Sequence, residues 1–275
     1  MSSKVNNLQV RKSNALLEAS YRLSVGEQRI MLACISQIRR DEKVTDEKLY
    51  SVSAAEISKL SGLDMKNAYT ELEKAALRLK RREVRLSQEA NGKGLKPKVM
   101  ITGWVQTIIY IESEGRVELR FSKDMLPYLT ELSEQFTQYA LTDVAKMNSA
   151  YAIRLYELLI QYQYGGQGRE LSLNELRAYL QLEDKYPSIK DFKKRVIEIA
   201  VEQINLHSPI YVTWTQKKTG RRVSHFIFSY ELKTKAKKTS KDQQLATKST
   251  AKRTAEEKAT ALSILEQMRL NLPKG

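Results

Sequence analysis

The chain has 275 residues, 29% charged and 41% apolar, enough for two ordinary domains with the composition of a soluble globular protein. Its formal charge of +15 points to a polyanionic partner, either nucleic acid or an acidic membrane face, and charge alone does not choose between them. No stretch approaches the roughly 18 apolar residues a membrane span needs, and the single Cys34 excludes an internal disulfide and fits a reducing compartment.

The opening stretch MSSKVNNLQVRKSN has no apolar signal core, so a cytoplasmic chain is expected. Leu16, Leu23 and Ile30 fall seven apart, but three positions are too few for a coiled coil, and Ser24-Val25-Gly26 is expected to interrupt a helix. These leucines, and Cys34 within the apolar helix GEQRIMLACISQI (26–38), read as core. VSAAEISKLSGL (52–63) then predicts a short helix and a tight turn at Gly62, and MKNAYTELEKAALRLKRREV (65–84) a longer helix, which is the helix-turn-helix pattern. The polar arc of the longer helix carries Asn67, Thr70, Lys74, Arg78 and Arg81 beside Glu71, a mild face for DNA. VRLS, a turn around NGKG (91–94), KVMITGWVQTIIYIE and GRVELRFS predict strands, with a wing tip whose Lys93, Lys96 and Lys98 are candidates for the phosphate backbone.

The pattern then recurs. FTQYALTDVAKMNSAYAIRLYELL (136–159) is expected to be helical and to start a second domain, its apolar helix continuing through YAIRLYELLIQYQ (151–163). LSLNELRAYLQL (171–182) and IKDFKKRVIEIAVEQINL (189–206) form a second helix pair, joined by an insertion, EDKYP, instead of a glycine. An offset of 119 aligns Val52 with Leu171, Glu56 with Glu175, Ile57 with Leu176 and Leu63 with Leu182. IYVTWTQ (210–216), a KKTG turn and RRVSHFIFSYEL predict a hairpin after it. Helix, helix-turn-helix, hairpin is the order of a winged helix, and it occurs twice.

The second copy carries the stronger chemistry. Phe192, Val196, Ile199, Ala200 and Gln203, widened by Ile197 and Val201, are expected on the buried side of its long helix; Asp191, Lys194, Arg195, Glu198 and Glu202 fall on the polar arc, and Lys190 and Lys193 flank it. Cations in the first turn suit a helix whose N-terminus enters the major groove. Lys194 and Arg195 suit either guanine O6 and N7 or phosphate, and Ser188 either a helix cap or a phosphate contact. Lys217, Lys218, Arg221 and Arg222 cluster around Gly220 at the wing tip. From Lys185 to Arg222 nine Lys/Arg face three Asp/Glu, an excess of +6. From Lys233 onward the chain reads as a basic, flexible tail, with a short amphipathic helix expected over TAEEKATALSILEQMRL.

Catalytic readings have little support. A nicking enzyme using a DNA–tyrosine link needs paired metal-binding histidines, and His207 and His225 lie far apart. No phosphate loop of the GxxxxGK type exists, one cysteine cannot build a Cys/His zinc site, and no acidic cluster converges. No catalytic residue, metal or cofactor is expected.

SYRLSVGEQRIMLACISQI (20–38), the 136–162 segment with its YAxRLYELL core, DFKKRVIEIAVEQIN (191–205) and KKTGRRVSHFIFSY (217–230) resemble the iteron-binding plasmid replication initiators of Gram-negative bacteria. The resemblance covers about residues 8–232 and leaves the tail uncovered. It implies an α+β chain of two tandem winged-helix domains: 8–135, for dimerisation and a secondary DNA contact; 136–232, for the main contact with directly repeated origin sequences (iterons); and the tail, 233–275. It also implies that Lys193, Lys194 and Arg195 make the main major-groove contacts. At the position of Ser188 the family can carry a basic residue, so this chain departs there. The same resemblance implies double-stranded DNA as partner, opening of an AT-rich segment, recruitment of the host initiator ATPase and replicative helicase, and a monomer–dimer equilibrium whose dimer represses its own gene at an inverted repeat. The alternative is a sequence-specific repressor with no initiation role.

Overall fold

The computed structural model describes residues 8–39, 44–87, 99–130, 132, 135–161 and 168–233. It begins with strand β1 (Gln9–Ser13), a single helical turn α1 (Asn14–Leu17) and the short strand β2 (Ser20–Tyr21). Helix α2 (Val25–Ile35) follows, starting at Ser24-Val25-Gly26, so no helix runs on from Leu16 to Ile30, as expected. Ser24 accepts from the Glu27 backbone N–H while the Glu27 carboxylate accepts from the Ser24 N–H, a capping box that fixes the helix start. Leu16, Leu23, Ile30 and Cys34 are all buried.

Strand β3 (Tyr50–Ser53), helix α3 (Ala54–Ser61) and helix α4 (Met65–Leu79) form the first helix-turn-helix. Strands β4 (Glu83–Leu86), β5 (Met100–Gly103), β6 (Val105–Ile111) and β7 (Arg116–Phe121) come next. The run expected as one strand, KVMITGWVQTIIYIE, is divided between two sheets at Trp104. β5 lies in the order β2-β4-β5 and β6 in the order β3-β7-β6. The buried indole of Trp104 stands edge-on to Tyr21 at 4.8 Å, and the Trp104 backbone bonds Arg82 on one side and Ser122 on the other. Packing of a large side chain thus makes the bend that alternation of residue types does not reveal.

The segment 136–159 corrects a second expectation. It is not continuously helical but comprises strand β8 (Phe136–Ala140), the turn α5 (Thr142–Ala145) and helix α6 (Ala150–Ile160). β8 pairs antiparallel with β1, Gln9 opposite Ala140, so the segment expected to open the second domain is fastened to the first strand of the chain. Strand β9 (Gly168–Ser172) and helix α7 (Leu173–Leu180) lead into one long helix over 189–207: α8 (Ile189–Phe192), a π-helical segment (Lys193–Glu198) and α9 (Ile199–His207). Strands β10 (Ile210–Thr219) and β11 (Arg222–Leu232) finish the second sheet, in the order β10-β11-β9.

The two halves match as the 119-residue offset predicts. Ser53 with Glu56 and Ser172 with Glu175 are equivalent capping boxes at the starts of α3 and α7. Val52 and Leu171, and Ile57 and Leu176, are buried pairs. In each half a strand preceding the helix pair joins the sheet of the following hairpin: β3 on β7, and β9 on β11. Residues through Glu231 form one compact unit.

A buried charge cluster ties that unit together. Glu157 of α6 accepts from Lys12 of β1 at 2.7 Å, Tyr139 of β8 at 2.6 Å, Arg154 at 3.1 Å and Tyr21 of β2 at 3.4 Å. Burial alone would raise the Glu157 pKa, but Lys12 and Arg154 beside it hold it below its ordinary value of 4.5. A carboxylate whose folded pKa is depressed adds stability that is present above the unfolded value and is lost as pH falls through the folded one. Glu157→Gln should therefore cost about 3–5 kcal/mol at neutral pH, because it leaves Lys12 and Arg154 buried without a counter-charge. The gap from wild type should narrow as pH falls below about 4.5 in paired urea titrations. A gap that is constant with pH would show that Glu157 is not the group responsible.

Candidate nucleic-acid interface

The two helix pairs solve the same turn differently. After α3, Gly62 takes a left-handed conformation (φ 78°) that costs a glycine little. The aligned residue after α7 is Gln181, left-handed at φ 49° without being a glycine. What holds this second turn is Arg177, whose guanidinium donates to the carbonyls of Leu182 (2.8 Å), Lys185 (2.6 Å) and Tyr186 (2.7 Å) and lies over the Phe192 ring at 4.8 Å. The EDKYP insertion is thus wrapped around an arginine that also packs on the long helix.

Within that helix the expected buried arc needs correcting. Ile199 is 41% exposed and Gln203 is only half-buried, its Oε1 accepting from the Asn148 N–H. The buried positions are Phe192, Val196, Ala200 and Ile204, with Ile197, Val201 and Asn205, so burial recurs every four residues. The π segment accounts for the shift: its wider i→i+5 turns hold an extra residue, moving the apolar stripe off the 3.6-residue register. Lys193, Lys194 and Arg195 sit in this widened segment. Lys194 and Arg195 are exposed, as is Lys190 in the turn before, whereas Lys193 is half-buried and donates to Gln216 of β10 at 3.3 Å. Ser188 caps the helix by accepting from the Asp191 N–H.

The second hairpin presents its cations as predicted, although β10 runs on through Lys217 and Lys218, leaving Gly220 (φ 61°) at the reversal. Lys217 pairs with Glu170 of β9 at 3.1 Å on an exposed surface. Lys218, Arg221 and Arg222 are exposed, and no ion pair occupies them among the described residues.

In the first half, Asn67 is bonded to the α4 N-cap Asp64, Thr70 to the Lys66 carbonyl, and Arg78 to the Lys74 carbonyl; Lys74 and Arg81 are exposed. Lys93, Lys96 and Lys98 lie outside the described residues, in the β4–β5 connection. By strand pairing the counterpart of the second wing is the β6–β7 hairpin, whose tip holds Glu112 and Glu114 instead of cations. Tyr69 of α4 packs so closely on Gly115 at that tip that a Cβ there would stand 1.9 Å from the ring, and Gly115 is left-handed (φ 53°) besides. The first hairpin is therefore bound to its own helix and acidic, where the second is basic.

Two adjoining hollows connect the helix pairs. One, of about 450 Å³, is lined by Leu63, by Asn67, Thr70, Glu71, Lys74 and Arg78 of α4 and by Ser24–Gly26 at the start of α2, with Glu71 paired to Arg29. The other, of about 690 Å³, shares Ser24, Val25 and Arg78, and extends past Arg22, Arg82 and the start of α6 to Arg195 and Ile199. The structure thus brings Asn67, Thr70, Lys74, Arg78 and Arg195 onto one trough, and leaves Arg81, Lys190, Lys194 and the wing cations outside its walls. Arg22 and Arg82 were not singled out from the sequence. Arg22 stands between buried Tyr21 and Leu23, an alternation that marks it as outward-facing but not what it faces.

Among the described residues, no His, Cys, Asp or Glu cluster could hold a metal ion, and no helix is long and apolar enough to cross a membrane. A family model described as "Initiator Replication protein, WH1" matches residues 9–160, and a second, "Initiator Rep protein, WH2", matches residues 172–230. The chain belongs to the replication initiator protein family. The two matches are to the winged-helix modules of that family, one in each half of the chain. A "Replication initiation protein" of Escherichia coli is 27% identical over 234 residues, covering 83% of this chain and 71% of that protein. The "PI protein" of Escherichia coli is 23% identical over 249 residues, covering 80% of this chain and 82% of the relative. The crystal structure of the Pi initiator protein in complex with iteron DNA shares the fold, with a TM-score of 0.67 at 22% identity over 83% of this chain and 98% of that one.

The unlike turns give an ordered prediction. Gly62→Ala should cost about 1–2 kcal/mol, the left-handed penalty, since nothing crowds the added methyl. Arg177→Ala should cost more, about 2–3 kcal/mol, because three backbone carbonyls lose a charged donor. Urea denaturation of the two variants checks the order; the reverse order would mean Arg177 does not hold the second turn.

Proposed function

We propose that this initiator binds directly repeated origin sequences in duplex DNA, using both long helices at once. The observation that carries the reading is the trough that runs from the polar face of α4 to Arg195 of the second long helix. A family member has been solved in complex with iteron DNA, which supports iterons as the target class. The second winged helix, residues 136–232 in this division, is the principal reader. Lys190, Lys194 and Arg195 supply its first turns, Lys193 links them to the hairpin, and Lys217, Lys218, Arg221 and Arg222 hold phosphate. The first, residues 8–135, makes the lesser contact through Asn67, Thr70, Lys74, Arg78 and Arg81, joined by Lys93, Lys96 and Lys98, and serves as the dimerisation surface.

Bound as a monomer to the repeats, the protein helps open an adjoining AT-rich segment and recruits the host initiator ATPase and helicase. As a dimer it represses its own gene at an inverted repeat. This places it in the cytoplasm, on plasmid DNA.

Footprinting of the purified protein on the DNA flanking its gene should protect tandem direct repeats beside an AT-rich stretch. Protection of only one inverted repeat over the promoter would instead identify a repressor. Arg195→Ala should cost about 1–3 kcal/mol of specific binding if Arg195 reads a base. Lys218→Ala should weaken binding to every sequence alike and lower the salt slope by about one. Unchanged affinity for the footprinted repeat in Arg195→Ala would remove the second long helix as reader.

A further inference from the structure

The larger hollow holds more positive charge than the two helix faces account for. Four arginines from four places in the chain converge on it: Arg22 after β2, Arg78 on α4, Arg82 before β4 and Arg195 on the π segment. Among the described residues, the only carboxylate facing any of them through an ion pair is Glu27, fully buried, with Arg82 at 3.0 Å and Arg78 at 3.6 Å. One negative charge is thus shared by two arginines. Arg22 and Arg195 are exposed, with no ion pair among the described residues. Ser24–Val25 and Ser149–Tyr151 bring the starts of α2 and α6 into the same wall, and N–H groups in a helix's first turn lack intrahelical acceptors and carry partial positive charge. Tyr151 completes the lining, and no acidic residue does.

We propose that this groove is a phosphodiester site, which grips the duplex backbone between the two stretches of major groove that the long helices enter, with Arg22 as a direct phosphate contact. It rests on the reading that both helices engage one duplex. Two helices inserted a turn apart must have a sugar-phosphate ridge passing between them, because one minor groove separates successive major-groove openings. The groove lies between Arg78 of one helix and Arg195 of the other, where that ridge has to cross. Its role is to couple the modules: a phosphate held there by residues of both halves is bound only when both are in register on the DNA.

The test uses the full chain and a duplex carrying the footprinted repeat. Arg22→Gln should reduce the slope of log affinity against log salt by about one, the signature of one lost phosphate contact, with an unchanged thermal unfolding midpoint. A scan of single methylphosphonates should find a central linkage whose neutralisation weakens the wild type but adds no further loss to Arg22→Gln. An unchanged slope and a wild-type methylphosphonate pattern in Arg22→Gln would overturn the proposal, while duplex binding by the wild type would leave the wider reading intact. Failure of the wild type to bind any duplex overturns both. Inorganic phosphate supplies the other arm: saturable binding abolished by Arg22→Gln, with the duplex slope unchanged, would assign the groove to a free phosphate ligand and not to DNA.

Discussion

Four donors around one buried carboxylate fix how the first, second and eighth strands meet helix α6. Glu157 draws Lys12, Tyr21, Tyr139 and Arg154 onto itself, and these come from β1, β2, β8 and α6. Isolated charges do not survive at zero exposure, so the segments that carry them are forced into one arrangement. Arg154 then reaches further. Its Nη2 donates to the carbonyls of Leu17 and Ala19 in the first half and to Tyr179 of α7 in the second. Arg29 of α2 adds a second fastening, bonding Glu71 of α4 at 2.6 Å and the carbonyls of Ala145 and Met147 ahead of α6. Through these two arginines, each helix-turn-helix is anchored to shared structure.

Duplicated modules on a common frame are free to diverge in how each meets a partner. The first closes its turn on a glycine and ends in an acidic hairpin fastened to its own helix by Tyr69 on Gly115. The second replaces the glycine with a guanidinium that holds three carbonyls, widens its long helix at the cationic residues, and carries a basic hairpin. An acidic tip is repelled by phosphate and a basic one attracted. On the proposed reading, the inequality of the modules thus has a cause in placed side chains, beyond a difference in total charge.

The duplication was legible in sequence because it rests on local rules. Alternation marks strands, helical periodicity marks the pairs, and Ser53/Glu56 and Ser172/Glu175 repeat at an offset because each caps a helix through neighbours three residues away. What escaped depends on tertiary context. The sequence FTQYA reads as well for helix as for strand until β1 lies beside it. Trp104 splits one apolar run between two sheets, and a π segment moves Ile199 into solvent although its spacing suits the core. The candidate contacts on each helix were readable as polar arcs. Arg22 and Arg82 were not, because only the folded chain brings them to the same hollow as Arg195, which no spacing along the chain encodes.

Rigidity has a consequence for recognition. Two reading heads on a flexible tether would accept a range of spacings between their target segments, at an effective concentration set by the tether. On the proposed reading, two heads fastened to one frame, as Arg29 fastens α4 and Arg154 fastens α7, would accept a narrower range, and a mismatch would have to be absorbed by deforming the DNA or loosening those bonds. Either costs several kcal/mol, about as much as discrimination at one or two base pairs. On the proposed reading, the spacing of contacts within a repeat is therefore selected by the protein's core as strongly as bases are selected by its surface. On that reading, substitutions at Arg29 or Arg154, far from any nucleotide, would alter which spacings are accepted, as those on the long helices alter which bases are read.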